Sequence, residues 1–287
     1  MLDVLGEEAV HSLGRLCELP GQDAILSAPS NPGLERIEAR FAGDGYDLHR
    51  HDTYAIGVTL HGVQTFWYRG QRRYSLPGNI IVLHPDEIHD GGAGTDDGLR
   101  YRMLYLEPSL ALQSLRAGSL PFVKDPVFAD PAMAAILSAA LDNLDEELDE
   151  LAVDDIISRL TQSLARHARQ NVKPLGPAAV RQTELARDYL EEHALRLVRS
   201  GELEAVSGLD RYTLSRHFRA LYATSPHRFL LMRRLQRARE MIKAGDPLAE
   251  IAAAAGFTDQ SHLNRQFKKA FGLTPGRWAA LIGVNSG

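Results

Sequence analysis

The 287 residues carry 44% hydrophobic and 24% charged side chains and a formal net charge of −5. That length allows two ordinary domains with separate cores, and no run of about 18 apolar residues offers a membrane-spanning helix. The single cysteine, Cys17, excludes an intramolecular disulfide and a cysteine-built zinc site. Charge is distributed unevenly. Residues 178–287 hold 17 Lys/Arg against 11 Asp/Glu, whereas residues 1–177 hold 15 against 26. Positive charge gathered at one end suits a nucleic-acid-binding domain, although a merely solvated basic face would give the same count.

The N-terminus, MLDVLGEEAVHSLGRLCELPG, has neither the basic start nor the apolar stretch of a secretory signal, so a cytoplasmic chain is expected. A short helical or loose segment there leads into an irregular hinge at residues 28–33. From about Glu35 to Pro108 come five short segments rich in β-branched and aromatic residues: RIEARF, TYAIGVTL, VQTFWYR, NIIVLH and LRYRMLYL. Gly and Pro separate them, and this close spacing predicts an antiparallel sandwich or barrel. Beyond Pro108 the period changes. Residues 131–144 and 153–170 place apolar side chains at helical spacing, with the acidic DNLDEELDEL between them as solvated surface. NVKPLGP, residues 171–177, has linker composition and divides the chain into domains 1–172 and 178–287. Everything past the linker reads as helical.

The C-terminal part repeats itself at an offset of 49. Leu214, Arg216, Phe218, Pro226 and Arg228 return as Leu263, Arg265, Phe267, Pro275 and Arg277, and Phe229 is answered by Trp278. In the second copy, residues 248–254 form a short helix, Gly256 and Phe257 a turn, and Asp259 an N-cap. The helix QSHLNRQFKKAF then buries Leu263, Phe267 and Ala270 and turns Gln260, Ser261, Asn264, Arg265 and Lys268 outward. In the first copy Asp210 caps a helix that buries Leu214, Phe218 and Leu221 and exposes Arg211, Tyr212, Ser215, Arg216 and Arg219. Such side chains suit the base edges of a major groove, although the arginines would also serve as surface ion-pair partners. His217 and His262 read as helix-surface or packing residues. Residues 226–244 make one helix between the copies, roughly 27 Å long, able to hold two recognition helices about 34 Å apart, one turn of DNA.

At these residues a resemblance becomes specific. GFTDQSHLNRQFKKAFGLTP, residues 256–275, resembles the signature of the AraC/XylS family of bacterial transcription regulators, and the similarity runs from near Thr183 to the C-terminus. It implies seven helices, with recognition helices near residues 211–221 and 260–271 and base contacts from Arg216 and Arg265. It also implies double-stranded DNA as partner, a homodimer, RNA polymerase as a further partner, and more often activation than repression. Glu204 departs from the pattern, since the family usually has a small residue there, which leaves the first unit open to poorer packing.

The N-terminal region resembles the cupin-like sensor domain of such regulators. The fold class expected is therefore α+β: a cupin-like barrel with flanking helices, then an all-α domain of two helix-turn-helix units. His49 and His51 follow Gly43 as G-x5-H-x-H, the first half of the cupin metal motif, and His89 stands near a later strand end. Three histidines suit zinc or iron, which keeps a metallo-enzyme with an appended DNA-binding domain as the alternative. The glutamate expected after His51 is replaced by DTYAIG. The expectation is accordingly no metal, no cofactor and no catalysis, with a small-molecule effector held by His49, His51, Tyr54, Trp67, His89, Tyr101 and Arg102. Helices within residues 131–170 are the expected dimerisation element, with plain packing on the barrel as the other reading.

Overall fold

A computed structural model of the chain describes residues 23–116, 119–168 and 174–284. Of the expected helical or loose N-terminal segment, residues up to 22, Cys17 among them, lie outside the described residues, as do residues 169–173; the segment's end, Ala24–Ser27, is a strand instead. Ten strands are described: β1 (Ala24–Ser27), β2 (Leu34–Phe41), β3 (Asp44–His49), β4 (Tyr54–His61), β5 (Gln64–Tyr68), β6 (Gln71–Ser75), β7 (Ile80–Leu83), β8 (His89–Ala93), β9 (Leu99–Leu106) and β10 (Val127–Phe128). They form a six-stranded sheet, β1-β2-β9-β4-β7-β10, facing a four-stranded one, β3-β8-β5-β6.

Strand alternation decides what each residue does. On β9, Leu99, Tyr101 and Met103 point into the barrel with Phe41, Phe66 and Tyr68. Leu104 and Leu106 point the other way, against three helices: α1 (Pro108–Leu115), α2 (Pro131–Leu141) and α3 (Glu150–His167). The apolar stripes of α2 and α3 thus pack on the sheet within the chain. A buried arginine ties them down. Arg36 donates from Nη1 to the carbonyls of Ala140 (3.1 Å) and Asn143 (3.0 Å) and from Nη2 to that of Glu146 (2.6 Å), satisfying one carbonyl in the last turn of α2 and two in the segment that follows it.

The remaining seven helices are α4 (Pro177–Glu192), α5 (Ser200–Ser207), α6 (Arg211–Tyr222), α7 (Pro226–Lys243), α8 (Leu248–Ala254), α9 (Gln260–Phe271) and α10 (Pro275–Leu281). Two helix-turn-helix units, α5–α6 and α8–α9, stand on either side of α7. Asp210 accepts from the amides of Tyr212 and Thr213, and Asp259 from that of His262 at 2.7 Å, as their positions in the repeat require. Replacing Asp259 with alanine should cost about 1 kcal/mol through the lost cap, seen as a Tm lower by a few degrees. Glu204 is no packing defect. Its Oε1 accepts from the main-chain amide of Arg211 (2.9 Å) and from its Nε (3.2 Å), so the departure from the family pattern fastens the start of α6.

The two units differ in their surroundings. Leu190, Leu203, Leu214, Phe218 and Phe229 form a separate core around the first. The core of the second, with Leu263, Phe267 and Trp278, is continuous with the interior of the barrel. Charged side chains of α7 reinforce that junction: Arg233 meets Asp52 (2.8 Å) and Glu107 (2.7 Å), and Arg239 meets Glu35.

Candidate functional site

The face proposed to read DNA is divided between two helices of the same construction. On α6, Arg211, Tyr212, Arg216 and Arg219 are exposed, Tyr212 to 72%, and Ser215 is half-buried. Arg216 donates to Thr213 Oγ1 and Arg219 to Ser215 Oγ, both at 2.8 Å, which orients two guanidinium groups along the helix. Arg211 is engaged by Glu204. On α9, Gln260, Ser261, Arg265 and Lys268 are exposed and Asn264 is half-buried. Here the surface is partly taken. Lys268 pairs with Asp47 of β3 at 2.6 Å, the Asp47 amide donates to the carbonyl of Gly272 (3.1 Å), and the Arg50 amide donates to that of Lys269 (3.2 Å). The C-terminal end of the second recognition helix is therefore docked on the barrel.

The same junction forms a half-open cavity of about 290 Å³. The barrel supplies Glu35, Tyr46, His49, His51 and Tyr105, and the helical domain supplies Met232, Arg239, Lys243, Phe271 and Trp278. Arg239 lies 5.0 Å from the ring centre of Phe271 and 4.9 Å from that of Trp278. Burial alone would raise the Glu35 carboxyl, but Arg239 and Lys243 hold it below its ordinary value. Burial pushes the Tyr46 hydroxyl up to about 12, so it faces the cavity as a neutral donor and acceptor.

Of the expected effector residues, four lie close together, and of these His49 and His51 line the cavity whereas His89 and Tyr101 do not. His49, His51 and His89 are all buried, with ring centres 4.2 Å apart for His49–His89 and 4.8 Å for His51–His89. Tyr101 points inward and its hydroxyl donates to that of Tyr46 at 3.2 Å. The other three are corrections. Tyr54 shares the outer face of β4 with Ile56, in the core beneath the helices, and donates to the carbonyl of Pro121 at 2.7 Å. Trp67 alternates with the inward Phe66 and Tyr68 and is 42% exposed. Arg102 alternates with Tyr101 and Met103 and pairs on the outer side with Glu38 (2.7 Å) and Asp142 (2.8 Å). Each error is one of strand phase, where a single step exchanges the two faces.

Residues 31–161 match an AraC-like ligand binding domain, and residues 203–280 match a helix-turn-helix domain. The chain belongs to the AraC family of transcription regulators. It is 26% identical to the uncharacterised HTH-type transcriptional regulator YbfI of Bacillus subtilis, over 84% of this chain and 90% of that one. It is 25% identical to the HTH-type transcriptional activator RhaS of Citrobacter koseri, over 86% and 92%. The structure of unsaturated-fatty-acid-bound ToxT from Vibrio cholerae superposes with a TM-score of 0.63 at 12% identity, covering 94% of this chain and 99% of that one. That likeness establishes the shared fold: a cupin-like barrel followed by an AraC-type helical domain.

The matched regions meet where the cavity lies. Sequence reasoning missed Glu35, Tyr46, Tyr105, Arg239, Lys243, Phe271 and Trp278 as cavity residues, because each belongs to an element whose own pattern explains it. Phe271 and Trp278 read as helix-turn-helix packing, and Arg239 as one more basic residue of α7. No signal within either domain announces a lining shared by both.

Proposed function

We propose that this AraC-type regulator reads two successive major grooves with α6 and α9, and that a small organic effector bound in the interdomain cavity sets how firmly α9 is held. Exposure of Arg216 and Arg265 at equivalent positions of two capped helices supports the first part. The observation that carries the second is the cavity itself: its walls come from both domains, so a ligand there has different contacts when they separate, which is what a shift between two states requires. Apolar walls beside the Glu35–Arg239–Lys243 group suit a compound with an apolar body and a polar end. His49, His51, Tyr46 and Tyr105 are the barrel's polar contributions to its recognition.

The proposal extends to a cytoplasmic protein without turnover, acting as a dimer and engaging RNA polymerase as an activator. Because the apolar stripes of α2 and α3 are consumed within the chain, the dimer contact we propose lies on the outer face of α3, where Leu151 is 80% exposed.

Arg265→Ala should weaken specific DNA binding by about 1–3 kcal/mol and relax base preference in one half of the site. Arg216→Ala should do the same about one helical turn away, and binding should fall steeply with salt as counterions are released. Band-shift titrations on specific and random duplexes check this. Equal losses on both duplexes would assign the arginines to phosphates and overturn base reading. For the effector, a thermal-shift panel of carboxylic acids, sugars and aromatic compounds should find a stabilising ligand whose effect is lost in Trp278→Ala. A hit indifferent to that change would place the ligand elsewhere.

A further inference from the structure

Two arginines of the helical domain hold matching places, and the barrel grips both. Arg228 and Arg277 stand at the repeat interval of 49, each as the third residue of the helix that follows a recognition helix, α7 and α10. Their amides are fixed alike, donating at 3.3 Å to Ser225 Oγ and to Thr274 Oγ1. The next side chain packs on the recognition helix of its own unit. Phe229 has its ring centre 5.5 Å from that of Phe218, and Trp278 lies 5.9 Å from Phe267. Each arginine thus leaves the main chain at the same offset from the helix that faces the bases.

Their barrel partners are unrelated. Arg228 meets Asp86, in the turn between β7 and β8, at 2.7 Å, and also donates to the Arg50 carbonyl. Arg277 meets Asp23, which precedes β1. Acids from two dissimilar segments do not account for two arginines in matching places. A partner that presents the same acceptor to both units does. The backbone of a duplex, whose phosphates recur one helical turn on, is such a partner.

We propose that Arg228 and Arg277 anchor the two units to backbone phosphates, and that Asp86 and Asp23 occupy these anchors in the free chain, so that barrel and DNA compete for them. The inference rests on the reading of α6 and α9 as recognition helices. Lys268 fits the same scheme: it is the counterpart of Arg219 in the repeat, and Asp47 holds it at 2.6 Å. Release leaves neither acid bare. Asp23 Oδ1 still accepts from the Ala42 amide (2.9 Å), and Asp86 keeps Arg50 at 3.4 Å. Burial lowers the pKa of Arg228 and raises that of Asp86 in spite of their pairing, so desolvation works against this contact. At Arg233 the balance is reversed, with Asp52 and Glu107 outweighing burial. Arg233 fastens the domains, whereas Arg228 and Arg277 are placed for exchange.

The test uses the full chain and a random-sequence duplex, with binding followed across a salt series. Asp23→Asn should tighten binding several-fold and leave the salt dependence as steep as before, since only the competitor is removed. Arg277→Gln should bind several-fold more weakly than Asp23→Asn and lower the log–log salt slope by about 1. Arg277→Lys, which keeps the charge, should keep the slope. Asp96→Asn, in the exposed turn between β8 and β9, adds the same charge as Asp23→Asn and should leave binding unchanged. If Asp23→Asn and Arg277→Gln act alike on affinity with the slope intact, the pair is only a latch between domains and the proposal is overturned. An Asp23→Asn chain that binds no more tightly than wild type overturns the competition, whatever Arg277→Gln does to folding. The recognition-helix reading fails separately: it requires Arg216 and Arg265 to set base preference, which a random duplex does not report.

Discussion

Replacing Arg233 with alanine is expected to cost the full chain about 3 kcal/mol, because it leaves the buried Asp52 carboxylate, and the half-buried one of Glu107, without their partner. The side chain stands on α7, the helix that joins the two DNA-reading units, and its two ion pairs cross to the barrel. Asp52 is almost wholly buried, and the Arg233 guanidinium also lies 4.8 Å from the ring centre of Phe229. Burial works against the charge on Arg233, yet Asp52 and Glu107 raise its pKa above the ordinary value, so the pairing outweighs the desolvation. Removing the guanidinium strands both acids, while the companion Asp52→Asn change should recover part of the loss. Arg233→Lys should fall between, since an ammonium cannot present the same planar fork to two acids. Calorimetry reads the stability, and a band shift reads the consequence. If the junction restrains α9, the variant should bind DNA several-fold more tightly while being less stable. A general folding defect would lower both quantities, and an unchanged Tm would mean that the pairs do not hold the domains.

From the first recognition helix to the second, the helical domain was legible in the sequence almost residue by residue. The expected helices over residues 248–254 and 260–271 coincide with α8 and α9, and residues 211–221 fall one short of α6. Three signals agree there: an apolar stripe of helical period, an aspartate at each N-cap, and a repeat that states everything twice. The barrel was legible only where it is apolar. Five strands were marked by β-branched and aromatic runs, whereas β3 (DGYDLH), β6 (QRRYS) and β8 (HDGGA) were not, because polar and glycine-rich segments have no burial pattern to betray them. Two of these unmarked strands, β3 and β8, carry His49 and His89. The histidines were found through motif spacing instead, and their convergence needed the β3–β8 register, which no single segment encodes. Tyr54, Trp67 and Arg102 failed for the converse reason: their strands were found, but a strand's two faces differ by one residue. The docking of β3 on α9 had no sequence signal at all, since Asp47 and Lys268 are individually ordinary surface residues.

That docking makes Gly272 the position where a small change should have a large effect. It ends α9 with φ of +72°, a conformation glycine enters without penalty. A Cβ built there would stand 2.8 Å from the Asp47 carbonyl oxygen, 2.8 Å from His49 Nδ1 and 2.9 Å from Tyr46 Cβ. Main chain cannot turn aside as the tip of a flexible side chain can, so Gly272→Val must push β3 away from the helix. Gly245 supplies the control: its φ is +85°, and a Cβ there would meet no heavy atom within 4 Å. Both valine variants should lose about 1–3 kcal/mol to backbone strain. Gly272→Val should lose roughly 2 kcal/mol more, the order of a well-packed contact broken by overpacking. The extra loss should appear in the full chain and vanish in a fragment of residues 178–287, where β3 is absent and the two variants should differ little. DNA binding separates the causes again. Freed from Asp47, Lys268 becomes available to phosphate, so Gly272→Val should raise the affinity of the full chain and steepen its salt dependence, while Gly245→Val does neither. Equal effects of the two substitutions in the full chain would show that the barrel does not hold the second recognition helix.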